Sequence, residues 1–327
     1  MNKIVVICGP TAVGKTEIAL KIAGDFDMEI VSCDSMQIYK YMDIGSAKPS
    51  PKEMELIPHH MIDVVDPTAV SSNAVDSFSV AKYSEMAQNA IDQIISRGKI
   101  PLITGGTGLY LDSIIYDIDF ASSPEDSEVR RELYDFAEEK GAEALHEILQ
   151  NEDPESAERI HPNNIKRVVR AIESARLGNS IKDFKSDFTL NSKYNPILIG
   201  LTRERQELYD RINKRVDLLM EKGLLKEVTL LKEMGLTSED YPMKGIGYKE
   251  LLDYLDGKVS LDEAVDQIKT NTRHYAKRQF TWFKKYEDMT WFDLTGIGNK
   301  GLYKDDDSYL GYDHKAGEIK EWLKTKL

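Results

Sequence analysis

Cysteine is scarce in this sequence: 327 residues hold only Cys8 and Cys33, at neither C-x-x-C nor Cys/His spacing. That excludes a disulfide framework and a cysteine-built zinc site, and it predicts two buried structural thiols. Long hydrophobic runs are absent as well. The apolar run near the N-terminus, Ile4–Cys8, stops at Gly9-Pro10, too short for a signal h-region or a membrane span. The expectation is a cytoplasmic protein without membrane contact. Basic charge is also in deficit, at a net −13, which in general disfavours nucleic-acid partners. What remains, 41% hydrophobic and 9% aromatic residues, is enough to bury one large domain or two smaller ones.

The charge deficit is local. Asp117–Glu158 carries fifteen Asp/Glu against three Lys/Arg, close to the whole imbalance. Ile268–Lys285, IKTNTRHYAKRQFTWFKK, carries six Lys/Arg and no acid.

Short β-branched runs recur at Lys3–Cys8, Glu29–Cys33, Ile100–Thr104 and Pro196–Leu201, separated by helical patterns at Thr16–Ile22 and Val80–Arg97. Strand, crossover helix and strand predict an α/β fold, a parallel sheet flanked by helices, with ligands at the carboxyl ends of the strands. The charged stretch from Asp117 and the HPNNIKRVVRAIE that follows read as a small all-helical insertion, giving a core of 1–118 and 190–327 around an inserted 119–189. From Thr202 to about Phe283 the pattern is helical. The polar tail beyond Trp291, with its Asp305–Asp307 run, reads as loop with one last helix near Ile319–Leu323.

At the edge where ligands gather stands GPTAVGKT, of the form G-x-x-x-x-G-K-[ST], placed between strand and helix. In such a P-loop Gly9 and Gly14 allow the tight turn, the residues Pro10, Thr11, Ala12 and Val13 between them complete the phosphate cradle, Lys15 adds positive charge, and Thr16 reaches Mg²⁺. Asp34 closes the next run and reads either as general base or Mg²⁺ holder, or as a turn cap. Gly105-Gly106-Thr107-Gly108 reads as a flexible strand-to-helix turn or as a second cradle using the Thr107 hydroxyl. His59-His60 has no further His or Cys at ligand spacing, so packing or capping is expected of it.

Lys269, Arg273 and Lys277 advance by four along one helical face, with Arg278 adjacent and Tyr275, Phe280, Trp282 and Phe283 interleaved, a pattern suited to phosphate contact plus base stacking. Lys166, Arg167 and Arg170 form a second basic set, Arg211 and Arg215 a third. Three such sets in an acidic chain point to an RNA partner.

GPTAVGKT, DSMQIYKYMDIGSAKP, GGTGLYL, HPNNIKRVVRA, GIGYKE and TRHYAKRQFTWF, in that order, resemble the bacterial tRNA dimethylallyltransferase (tRNA isopentenyltransferase) family from about residue 1 to 291. The resemblance implies a P-loop NTPase-like core that holds a leaving group. Dimethylallyl diphosphate would donate its allyl unit to N6 of the adenosine 3′-adjacent to the anticodon of tRNA, with pyrophosphate departing and Mg²⁺ as cofactor. It implies Asp34 as base, and Lys15, Thr16 and Thr107 at the departing oxygen. It further implies Arg215 on the diphosphate and Arg130 near the reacting centre. Asp34, Ser35, Met36 and Gln37, with Lys166, Arg167, Val168, Val169 and Arg170, match stretches that contact the tRNA anticodon stem-loop; Arg273, Lys277 and Arg278 are added from the basic helix. The insertion matches a mobile second domain, and the protein is expected to be a monomer. A small-molecule P-loop kinase and an adenylate isopentenyltransferase would share the loop and Asp34 but need no RNA-binding helix, and a P-loop RNA-binding switch would leave Asp34 and Thr107 without a purpose.

Overall fold

Strands rich in Val and Ile on both faces must be covered on both sides, and the core of this protein is built accordingly. The computed structural model describes residues 2–69, 78–118, 127–178, 189–298 and 307–327. Its strands are β1 (Asn2–Cys8), β2 (Met28–Cys33), β3 (His59–His60), β4 (Ile100–Gly105), β5 (Tyr194–Thr202) and β6 (Thr290–Asp293). All pair in parallel, in the order β3-β2-β4-β1-β5-β6. Strand β1 is central, with Val5 between Leu102 and Ile197, and every residue of β2 is buried.

The helices are α1 (Lys15–Ala23), α2 (Pro51–Leu56), α3 (Val80–Ser96), α4 (Gly108–Ile115), α5 (Ser127–Lys140), α6 (Ala142–Glu152), α7 (Pro154–Arg159), α8 (Ile165–Arg176), α9 (Arg205–Glu221), α10 (Leu224–Glu233), α11 (Tyr248–Leu255), α12 (Leu261–Phe283) and α13 (Asp307–Lys324). Capping boxes start two of them: Ser50 with Glu53 for α2, and Ser260 with Glu263 for α12. No helix among the described residues is long and apolar enough to cross a membrane.

The four expected strands and the α1 pattern are present, extended by at most two residues at an end, and α3 ends one residue earlier than expected, at Ser96. Both missed strands are edges: β3 is two residues long and β6 four, too short to carry a period. The tail departs further from expectation. Residues 299–306, including Asp305 and Asp306, lie outside the described residues, but α13 is a full helix rather than one turn near Ile319. Its sequence is polar because only one stripe is buried, Tyr312, Ala316, Ile319 and Leu323, which join the core cluster of the sheet face that carries α1.

The chain divides into two compact units. The first holds the sheet, α1–α4 and α9–α13; the second, drawn from Tyr116–Leu190, holds α5–α8. The second has its own core of Leu133, Leu145, Leu149, Ile160, Val168, Val169 and Ile172.

Candidate active site

Three loops leave the carboxyl ends of β1, β2 and β4 side by side, because those strands are neighbours in register: Cys8 and Cys33 both pair with Gly105. They border a cavity of about 590 Å³ whose wall includes Thr11, Gly14, Lys15, Thr16, Asp34, Gln37, Gly105, Gly106, Arg215 and Tyr275. The approach of the loops is close. A Cβ on Gly105 would stand 2.0 Å from the Cys33 carbonyl oxygen, so only glycine fits there.

The P-loop takes its tight form through Gly14, at φ 113°, which caps α1 and directs the helix N-terminus toward the cavity. Lys15 folds back over the loop and donates to the Gly9 and Pro10 carbonyls, both at 2.9 Å. Burial pushes its ammonium down to about 8, and the Arg215 charge adds to the effect, while Asp34 opposes it. Val13 is not on the cavity wall; its side chain is fully buried in the core.

Asp34 closes a turn with one carboxylate oxygen and borders the cavity. Its Oδ1 accepts from the Met36 amide at 2.9 Å and more weakly from that of Gln37 at 3.4 Å, an Asx-type turn. Its Oδ2 accepts nothing from the described residues, and the residue borders the cavity. Thr107 stands behind that turn rather than on the wall. Its Oγ1 accepts from the Ser35 amide at 2.9 Å and donates to the Ser35 hydroxyl at 3.3 Å, tying the β4 loop to the β2 loop.

Sequence reasoning missed two braces. Gln279 of α12 accepts from the Thr11 amide at 2.8 Å and donates to the Gly106 carbonyl at 2.9 Å, joining the two glycine loops. Its only signal was membership of the TRHYAKRQFTWF stretch. Glu227 of α10 accepts from the amides of Asp43, Ile44 and Gly45 at 2.7–2.9 Å and from the Tyr248 hydroxyl at 2.8 Å. Nothing in the sequence marked it.

The basic sets divide. Arg215 has no hydrogen-bond or ion-pair partner among the described residues and faces the cavity. Arg211 is buried instead, donating to the carbonyls of Ala12 and Gly298, both at 2.9 Å, so it is no partner surface. On α12, Lys277 and Arg278 are exposed, whereas Arg273 donates to Asn213 and Thr270 and Lys269 pairs with Asp217 at 2.6 Å. The missing acids are supplied by α9 across the interface. Of the interleaved aromatics Phe283 is buried and cannot stack on a base, Tyr275 borders the cavity, and Phe280 packs edge-on against Trp291. Lys285 pairs with the fully buried Asp112 at 2.5 Å.

In the helical unit Lys166 and Arg167 are exposed, but Val168 and Val169 are core residues whose side chains cannot meet a partner, because they fall on the buried stripe of α8. Arg130 forms a two-pronged pair with Glu173, at 2.9 and 3.0 Å, and Arg170 shares that buried carboxylate. His60 Nε2 donates to the Glu29 carboxylate 2.7 Å away, a structural contact.

Among the described residues no three His, Cys, Asp or Glu side chains gather to hold a metal. The oxygens on the wall, the Thr16 hydroxyl and the Asp34 carboxylate, are nonetheless a set that fits Mg²⁺, which takes few protein ligands and completes its shell with phosphate oxygens and water. At the same strand end the Thr104 hydroxyl is buried with no hydrogen-bond partner among the described residues.

Known proteins resemble this chain in sequence and fold. The family model described as IPP transferase matches residues 37–286. A tRNA dimethylallyltransferase of Clostridioides difficile is 46% identical over the whole of both chains, and one of Acetivibrio thermocellus is 51% identical over 90% of this chain and 92% of its own. Among solved structures, a tRNA isopentenylpyrophosphate transferase of Bacillus halodurans superposes with a TM-score of 0.68 at 42% identity, covering 100% of this chain and 99% of its own. A eukaryotic dimethylallyltransferase described as acting on tRNA gives 0.77 at 30% identity, over 91% of this chain and 75% of its own. Matched by the family model over well more than half its length and by relatives from end to end, this chain belongs to the IPP transferase family.

Proposed function

We propose that the protein transfers the dimethylallyl group of dimethylallyl diphosphate to N6 of the adenosine 3′-adjacent to the anticodon of tRNA, releasing pyrophosphate. The observation that carries this is a carboxylate with an uncommitted oxygen, Asp34 Oδ2, on the same wall as the P-loop lysine. A holder for a leaving diphosphate and an acceptor for a proton thus share one cavity.

The exocyclic amine of adenine is a weak nucleophile because its lone pair is delocalised into the ring. Asp34 takes its proton as the N6–C1 bond forms and the C1–O bond to the diphosphate breaks. The electron pair leaves with the bridging oxygen, where Lys15, Arg215 and the loop amides oppose the growing negative charge. Lys15 is largely protonated at neutral pH even at its lowered value. Thr107 acts by holding Ser35 and hence the Asp34 turn. Thr16 would hold Mg²⁺, which when bound neutralises diphosphate charge. The exposed Lys166, Arg167, Lys277 and Arg278 meet tRNA phosphates, and the backbone of Asp34–Gln37 borders the extruded base. Arg130, held by Glu173 within the helical unit, is given no step in this reaction. A tRNA substrate places the work in the cytoplasm.

The test offers dimethylallyl diphosphate labelled in its allyl group to unmodified tRNA, to AMP and to no acceptor. Label is expected in tRNA alone, and Asp34→Asn should slow transfer by roughly 10²–10⁴ while tRNA still binds. Label in AMP would reassign the protein to free-nucleotide prenylation, and ATP consumption without label would make it a kinase.

A further inference from the structure

The P-loop is braced from beneath by a helix that lies beyond the family match. Tyr312 of α13 is 6% exposed, and its hydroxyl receives two hydrogen bonds, from Arg203 at 2.9 Å and Arg211 at 3.0 Å. The other prongs of those guanidinium groups grip the loop itself: Arg203 donates to the Val13 carbonyl at 2.8 Å, Arg211 to the Ala12 carbonyl at 2.9 Å. Arg203 also donates to the Leu294 and Ile297 carbonyls at 2.6 and 2.7 Å. The tyrosine lies directly against the loop's hinge, since a Cβ on Gly14 would meet its hydroxyl at 2.8 Å. One phenol therefore sets the position of two arginines, and the two arginines set two consecutive peptides of the phosphate cradle.

The geometry points to Tyr312 as a positioning residue for diphosphate binding. Carbonyls pulled down by the guanidinium groups turn their own peptide N–H groups the opposite way, and a phosphate cradle depends on the direction of its amides. Among the described residues the two cations beneath the loop are paired with no carboxylate except Glu207 on Arg203, so their field also reaches the anion above. Docking of α13 holds the phenol in place. Ile319 and Leu323 are fully buried, Lys320 pairs with Asp25 at 2.5 Å, and Asp313 pairs with Lys21 of α1.

This inference rests on the proposed reaction, and the measurements separate the two. Pyrophosphate binding to the full chain is measured by calorimetry, alongside KM for dimethylallyl diphosphate, KM for tRNA and kcat. Tyr312→Phe keeps the ring but removes the acceptor of both arginines, and it should weaken pyrophosphate and raise KM for the diphosphate roughly tenfold, leaving KM for tRNA unchanged. Arg211→Lys, which keeps the charge but loses the fork, should do the same and serves if the first variant fails to fold. Lys320→Ala, which removes a surface ion pair but leaves the buried stripe that docks α13, should leave pyrophosphate affinity as it was. Unchanged pyrophosphate affinity in Tyr312→Phe and Arg211→Lys, or equal losses of both KM values and of thermal stability, would overturn the assignment. Failure of the unaltered protein to bind pyrophosphate at all would overturn the proposed reaction instead.

Discussion

Lys15 illustrates how far a single residue can be read. Its place in G-x-x-x-x-G-K-[ST] is plain, but its titration depends first on its burial and then on Arg215, two hundred residues away in sequence. Only the charged ammonium attracts phosphate. Since the free protein loses that proton near pH 8, affinity for dimethylallyl diphosphate should be level below pH 8 and fall above it, by up to about tenfold per pH unit. Lys15→Met should bind weakly at every pH and flatten the profile, and binding calorimetry across pH 7 to 10 checks both. Glu227 is the opposite case, a residue no motif exposed because its partners are three backbone amides and a tyrosine far along the chain. Glu227→Ala leaves three part-buried amides and the buried Tyr248 hydroxyl without that acceptor and should lower stability by about 2 kcal/mol, read as a shift of the urea midpoint at constant slope. Arg211 and Arg215 show the limit most clearly. Spacing made them equivalent, and only tertiary contacts separate a loop brace from a free cation.

At the level of elements, periodicity served where a helix or strand is buried in one consistent way. Strands β1, β2, β4 and β5 are covered on both faces and announced themselves as apolar runs. Helix α12 was found too, but its chemistry was misjudged, because a sequence shows which acids are absent from a helix and not which arrive from its neighbour, as Asp217 does for Lys269. Helix α13 was nearly missed since a narrow buried stripe in a polar segment gives little hydropathic signal. In α8 the same stripe puts Val168 and Val169 inside, so within the run Lys166–Arg170 only Lys166 and Arg167 are exposed. Val168→Asp would bury a carboxylate in the helical unit and should unfold that unit, abolishing transfer to tRNA, while calorimetry should find pyrophosphate binding in the sheet unit intact. Lys166→Ala, at an exposed position, should instead weaken tRNA modestly and reduce the salt dependence of its binding by about one unit of log–log slope.

For the whole molecule, net charge proved a poor guide and its distribution a good one. A chain of net −13 keeps Lys15, Arg215, Lys277 and Arg278 in the unit with the P-loop, and much of its acid in the stretch that forms the other. The two thiols carry a practical consequence. Cys8 and Cys33 end two strands at the floor of the site, both buried, with ionisation pushed well above the ordinary thiol range by burial. A protonated, shielded thiol neither alkylates nor oxidises readily. The catalytic floor is therefore chemically silent while the sheet is closed, and a thiol-reactive dye becomes a built-in reporter of its opening. Both cysteines should become reactive together, in the denaturant range where pyrophosphate binding disappears.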